Sequence, residues 1–141
     1  MTQYRKDDMY PDMKKLRDLL TLLSDQQKLR ILQQEYSGWR PLHYAAIRDH
    51  TEIISTLLTS LQSSADRLKL LMVRGYTPLH SAAYHGHTES VKMILDCLTA
   101  DQQIRIMPVQ DWGGKTAIQW AESGGHTDTV RVLTEYQQRA A

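Results

Sequence analysis

One sequence pattern occurs three times at nearly constant spacing, and it limits the possible folds more than any other feature. Its fullest copy, at residues 75–87, reads G-Y-T-P-L-H-S-A-A-Y-H-G-H. A copy at 38–50 precedes it and another at 114–126 follows it. Repetition at a fixed interval of this size predicts a stack of similar units, each too small to bury its own apolar side chains.

The pattern predicts that each unit begins with a short helix. Thr77 precedes Pro78, which is the order of an N-cap residue and a first helical residue. Gly86 suits the left-handed residue that ends a helix. In the first copy Asp49 takes that place, and Asp tolerates the left-handed conformation better than most residues.

A second helix is predicted in each unit from an apolar stripe at helical spacing. In the middle copy the stripe consists of Val91, Ile94, Leu95 and Leu98. The same spacing recurs at Ile54, Leu57, Leu58 and Leu61, and again at Leu16, Leu19, Leu20 and Leu23. Residues 12–23 are therefore expected to form the second helix of an incomplete unit that caps the stack.

The T-P-L-H-x-A signature followed by G-H resembles the ankyrin repeat. The middle copy fits it position by position, whereas the first copy has Arg40 in place of Thr. The third copy departs further, at Ala117, Gln119 and Glu122, and its polar substitutions suggest a C-terminal cap. The resemblance implies an all-α fold, a solenoid of stacked helix-turn-helix repeats.

The expected organisation is a single ankyrin-repeat domain. Its parts are a polar N-terminal arm at 1–11, a partial capping repeat with its connection at 12–37, repeat 1 at 38–74, repeat 2 at 75–113, a C-terminal capping repeat at 114–136 and a tail at 137–141. The arm is expected to be disordered or to lie over the first repeat, and the tail to fray.

Extra segments lengthen these repeats beyond the usual period of about 33 residues. They lie at 24–32, 64–71 and 99–106 and resemble one another, since each opens with Ser or Thr near an Asp. Ser24 and Gln27 stand in capping-box register. A short extra helix is predicted in each connection, which would bury Leu68 and Leu71. An irregular loop is the alternative.

The histidines suggest two different kinds of role. The resemblance implies that they serve hydrogen bonds within and between repeats. The set consists of His43, His50, His80, His87 and His126. A metal site or an enzyme that uses them is the alternative, but Gly86 should turn the flanking histidines apart. No nucleophile elbow or paired carboxylates are visible, and residues 113–116 lack the upstream glycine of a phosphate loop. No catalysis, cofactor or metal is therefore expected.

In ankyrin-like proteins the turn tips and the exposed side of the first helices form a concave surface that binds other proteins. The matching positions here are Tyr36, Ser37, Trp39, Ile47, Arg48, Val73, Arg74, Tyr76, Tyr84, His85, Trp112, Lys115 and Ser123. The resemblance thus implies a non-catalytic protein-protein interaction module whose partner the sequence does not identify. The alternative for Trp39 and Trp112 is simple packing against neighbouring turns.

Composition bears on the remaining classes of function. A groove for nucleic acid could use Arg40, Arg48, Arg74 and Lys115, but the formal net charge is only +1. No apolar run approaches the length of a membrane helix, and the N-terminus lacks the apolar core of a signal peptide.

The lone cysteine, Cys97, is expected in the core and fits a reducing compartment, so a cytoplasmic or nuclear location is expected. A monomer is expected, with end-to-end association as the alternative. The chain could also be a fragment or a scaffold without a natural partner.

Overall fold

The structure is a computed structural model that describes residues 13–35, 39–73 and 75–140. The described residues contain the helices α1 (Met13–Thr21), α2 (Asp25–Leu32), α3 (Pro41–Ile47), α4 (Thr51–Thr59), α5 (Ser64–Leu71), α6 (Pro78–Tyr84), α7 (Thr88–Asp96), α8 (Ala100–Ile106), α9 (Ala117–Ser123) and α10 (Thr127–Ala140). None of these helices combines the length and the apolar character that crossing a bilayer requires. The predicted N-terminal arm lies outside the described residues.

The helices pack in three rows. The first helices of the repeats form one row, in which α6 packs on α3 and α9 packs on α6. The second helices form another, in which α7 packs on α4 and α10 packs on α7. The extra segments form the third row, where α5 contacts α2 and Gln102 of α8 donates a hydrogen bond to Ser64 of α5 at 3.2 Å. In addition, α8 packs on α10. The predicted all-α stack of helix pairs with extra helices is confirmed.

The predicted helix signals operate as expected in the middle repeat. The side chain of Thr77 accepts a hydrogen bond from the His80 amide, and Nδ1 of His80 accepts one from the Thr77 amide at 3.1 Å. Pro78 is the first helical residue. The left-handed residues that follow the first helices include Gly86 with a φ of 69° and Asp49 with a φ of 56°. The sequence therefore fixes both ends of the first helices locally.

The extra helices have caps of their own, which is why these segments are not loops. Ser24 forms the predicted capping box with Gln27, and Thr99 forms one with Gln102. Ser63 accepts a hydrogen bond from the Asp66 amide at the start of α5. The core of the stack includes Leu68 and Leu71, as predicted. The loop alternative is wrong.

In the third row, long basic side chains donate hydrogen bonds to the last carbonyls of the second helices. Arg67 donates from Nε to the Leu61 carbonyl at 2.8 Å and from Nη1 to the Cys97 carbonyl at 3.3 Å. Lys28, at the matching position of α2, donates to the Ser60 carbonyl at 2.5 Å. Helix C-termini leave such carbonyls without intrahelical partners. Each of these two residues thus binds the end of a helix in the following repeat.

Replacing Arg67 with methionine should lower the free energy of unfolding by roughly 1.5–3 kcal/mol, because charge-assisted hydrogen bonds to two buried helix ends are lost. Lys69→Met is the matched control, since Lys69 is an exposed cation on the same helix. Urea denaturation of both variants measures the difference. Equal midpoints in the two variants would contradict the role given to Arg67.

The lone cysteine lies in the core, as predicted. Cys97 is buried, and burial raises the pKa of its thiol above the usual value. Its carbonyl, rather than its thiol, makes the hydrogen bond to Arg67.

Two predictions at the ends of the stack need correction. Leu19 was expected to join the core with Leu20 and Leu23, yet its side chain is 55 % exposed. No described helix precedes α1, so no described helix covers its outer side. The tail was expected to fray from Gln137, yet α10 continues to Ala140. It is held because Tyr136 is buried and donates a hydrogen bond to Asp96.

Candidate protein-binding surface

Two of the motif histidines join the first helix of one repeat to the turn of the next. His43 accepts the Arg40 amide at Nδ1 and donates from Nε2 to the Tyr76 carbonyl at 2.5 Å. His80 donates from Nε2 to the Lys115 carbonyl at 3.0 Å. Because carbonyls only accept, the proton lies on Nε2, and Nδ1 remains free to accept an amide. Both imidazoles are therefore neutral, and burial lowers the pKa of each.

Two further histidines bind backward to the preceding repeat. His87 donates from Nε2 to the Ile47 carbonyl at 2.9 Å, and His126 does the same to the Tyr84 carbonyl at 2.9 Å. The structural role implied for these side chains is thus present at both junctions. Among the described residues, no three His, Cys, Asp or Glu side chains converge as metal ligands.

Four aromatic side chains, Trp39, Tyr76, Trp120 and Tyr84, form a continuous series that we call the aromatic row. The ring centroids of Trp39 and Tyr76 are 5.4 Å apart. Tyr76 and Trp120 follow at 6.3 Å, and Trp120 and Tyr84 at 5.1 Å. Each pair meets edge to face, with interplanar angles of 84°, 82° and 79°. The row crosses all three repeats.

Tyr76 anchors the row because the histidines lie beneath it. Its ring stacks on His80 with centroids 5.5 Å apart and lies parallel to His43 at 6.4 Å. Burial raises the pKa of Tyr76 to about 12. Tyr84, by contrast, is 47 % exposed. The row therefore has a fixed centre and an open end.

Trp120 belongs to the row although sequence reasoning did not select it. Its indole nitrogen donates to Oδ2 of Asp111 at 2.7 Å, and Nζ of Lys115 lies 4.3 Å from the centroid of its ring. Burial alone would raise the pKa of Asp111, but hydrogen bonds from two backbone amides and this indole outweigh it and lower the pKa. The only sequence signal was a Trp where repeat 2 has Ser81.

Trp112 is the most open aromatic side chain near the row. It is 82 % exposed, and one side of its indole lies against the backbone of Gly75. A Cβ atom at residue 75 would stand 2.3 Å from Cε2 of Trp112. Gly75 also has a φ of 93°, so glycine meets both a steric and a conformational requirement there. The interpretation that Trp112 only packs on a neighbouring turn accounts for one side of the ring.

The structure brings together only some of the residues predicted for the surface. Trp39, Tyr76 and Tyr84 join the aromatic row, and Lys115 donates to the exposed Ser123 at 3.3 Å. The other described members are Arg48 and His85, which are exposed, and Ile47 and Val73, which are half-buried. Tyr36, Ser37 and Arg74 lie outside the described residues.

Stacked helix pairs, joined at two successive junctions by histidine–carbonyl hydrogen bonds, define an α-helical repeat protein. A model of three ankyrin repeat copies matches residues 13–106, two thirds of the sequence. The chain belongs to the ankyrin-repeat family. Ankyrin repeats are generally protein-protein interaction modules and are typically non-enzymatic. The match ends before α9 and α10, which pack as a further helix pair. A search of curated proteins returned no match to this sequence.

Proposed function

We propose that this protein binds a partner protein through the aromatic row and Trp112, on the concave face of the stack, and has no catalytic activity of its own. The observation that carries the proposal is the open indole of Trp112, next to a series of rings that crosses three repeats. Trp and Tyr are enriched among the residues that dominate protein interfaces.

The rigidity of these rings supports the same proposal. Tyr76 and Trp120 are already held in place by His80 and Asp111. Side chains that are fixed before binding lose little conformational entropy when a partner covers them. Their edge-to-face contacts add to that fixation.

Tyr84→Ala and Tyr76→Ala should each weaken binding of the partner by at least about 1 kcal/mol, the usual threshold for a significant contact. Partners are to be captured from a cell extract on the immobilised protein, quantified by mass spectrometry, and then titrated by calorimetry. Lys92→Ala is the control, because Lys92 lies on α7, away from the row.

A urea melt must accompany each variant. Tyr76 is half-buried among four rings, so its removal should also lower stability, and Tyr84→Ala is the cleaner test. If both tyrosine variants retain the affinity of the Lys92 control, the binding surface lies elsewhere on the stack.

A further inference from the structure

We propose that the C-terminal end of the stack is a second binding surface, which takes a helix of another protein that begins with histidine and carries serine or threonine three residues later. The surface surrounds an open cavity of about 280 Å³, which we call the end cavity. Its lining consists of Glu122, Gly125, His126, Thr127 and Val130. None of these residues belongs to the aromatic row. The nature of the occupant follows from the two junctions inside the stack.

At the junction of repeats 1 and 2, a histidine and a hydroxyl from the later repeat bind the turn of the earlier one. His87 donates from Nε2 to the Ile47 carbonyl at 2.9 Å. Three residues after His87, the Ser90 hydroxyl donates to Oδ1 of Asp49 at 2.6 Å. Ser90 is fully buried by this contact and its surroundings. The start of α7 therefore binds the preceding turn through two side chains at a fixed spacing.

The junction of repeats 2 and 3 uses the same two positions. His126 donates to the Tyr84 carbonyl, and three residues later the hydroxyls of Thr129 and Thr88 form a hydrogen bond of 2.9 Å. The ring of His126 lies against Gly86, where a Cβ atom would stand 2.4 Å from Nδ1 of that ring. Thr129 is buried as well. A helix start with histidine and, three residues later, serine or threonine is thus what such a turn binds.

The end cavity presents the same turn, and no later repeat follows it among the described residues. Gly125 has a φ of 71°, close to the 69° of Gly86, and a Cβ atom on Gly125 would meet no described atom within 4 Å. The Ser123 carbonyl and the Thr127 hydroxyl occupy the places of the two groups that are bound at the second junction. Neither has a hydrogen-bond partner in the described part of the chain. The turn is therefore shaped for a histidine and a hydroxyl from outside.

Glu122 determines the charge that the occupant must bring. Repeats 1 and 2 have the fully buried Ala46 and Ala83 at this position. A helix that fills the end cavity covers the Glu122 carboxylate too, and burying an unpaired carboxylate is costly. A protonated histidine avoids this cost, because both of its ring nitrogens carry protons. One nitrogen can donate to the Ser123 carbonyl and the other to Glu122.

A second copy of this chain does not supply the required pair of side chains. In the same register its partial capping repeat would present Asp12, with Lys15 three residues later. That pair contains neither a histidine nor a hydroxyl, and it brings an acidic residue toward Glu122. Its next repeat has His50, but Ile53 stands three residues later. The two matching pairs of the chain are engaged at its own junctions. The occupant is therefore a helix of a different protein.

The test selects peptides from a random displayed library on the immobilised whole chain, with peptides of about 20 residues, long enough to form a helix. Enriched peptides should carry histidine followed at the third position by serine or threonine about fivefold more often than the unselected library. Glu122→Lys should weaken calorimetric binding of an enriched peptide about fivefold or more. Glu35→Lys is the matched control, because it makes the same charge change at an exposed site in the connection after α2.

A second variant tests the hydroxyl separately. Thr127→Val should remove the preference for serine or threonine from the selected peptides, while the histidine excess remains. Thr127 is exposed, so this change should leave the fold intact, and a urea melt of each variant checks that it does.

Tyr84→Ala separates this inference from binding by the aromatic row. It should bind an enriched peptide as tightly as the wild type does, since its side chain does not line the end cavity. Peptides without the histidine and hydroxyl pair, or equal binding by Glu122→Lys and Glu35→Lys, would overturn the inference and leave the aromatic row untouched. Loss of binding in Tyr84→Ala but not in Glu122→Lys would assign the peptides to the row and also overturn it.

Discussion

Replacing Leu95 with alanine is expected to lower the free energy of unfolding by about 2–5 kcal/mol, the usual range for a buried leucine. Leu95 is fully buried in α7, which packs between α4 and α10 in the row of second helices. The lost side chain would leave a cavity at the centre of the stack, where helices on both sides limit collapse. Urea denaturation measures the change.

Leu19→Ala is the matched control for this prediction. It removes the same atoms from a side chain that is already 55 % exposed, so the loss should stay below about 1 kcal/mol. A wild-type midpoint for Leu95→Ala would show that the apolar stripe of the central repeat is not the core.

A fall in stability below pH 6.5 is the second large effect that we expect. Burial lowers the pKa of His43 and of His80 below the ordinary value of 6.5. Protonation would also turn each Nδ1 from an acceptor into a donor, facing the amide that it now accepts. As pH falls through 6.5, the unfolded chain takes up protons before the folded protein does. Stability is therefore complete above pH 6.5 and is lost as pH falls, by at most about 1.4 kcal/mol per pH unit for each histidine.

The third repeat supplies the control for this pH dependence. Gln119 occupies the same capping position, where its side-chain oxygen accepts the Thr116 amide at 2.9 Å. A variant carrying His43→Gln and His80→Gln should keep both caps without a titrating group. At pH 7 its urea midpoint should be lower than that of the wild type, because the hydrogen bonds between repeats are lost. Between pH 7 and pH 5 its midpoint should change less than that of the wild type. If the urea midpoint falls equally with pH in the variant and in the wild type, groups other than these two histidines cause the pH dependence.

The repeats, caps and extra helices could be predicted because each rests on residues close together in sequence. The pairing of Thr77 with His80, and of Ser24 with Gln27, spans three positions and recurs in phase. The exposure of Leu19 could not be predicted in this way, since it depends on what lies outside its own helix. The same holds for the end of α10, which Tyr136 fixes through Asp96, 40 residues earlier.

In the candidate site, too, some residues could be predicted from the sequence and others could not. Sequence position selected Trp39, Tyr76 and Tyr84, and the structure brings their rings into one row. Sequence position did not select Trp120, because that slot holds Tyr44 in repeat 1 and Ser81 in repeat 2. The fully buried Ser81 is small, so the neighbouring repeat can place a large ring close to Tyr76 and Tyr84. The fit of a large ring beside a small residue depends on how the two repeats pack together. It could therefore not be predicted from the sequence of either repeat alone.

The hydrogen bonds at the junctions between repeats determine how the protein comes apart. His43 and Arg67 reach forward from repeat 1 into repeat 2, and His87 reaches back. His80 and His126 close the next junction in the same two directions. Were one repeat to melt alone, its neighbour would lose these hydrogen bonds and would expose to water the apolar surface that the two repeats now bury between them. The repeats therefore unfold together, so proteolytic cleavage or damage in one repeat destabilises the whole stack.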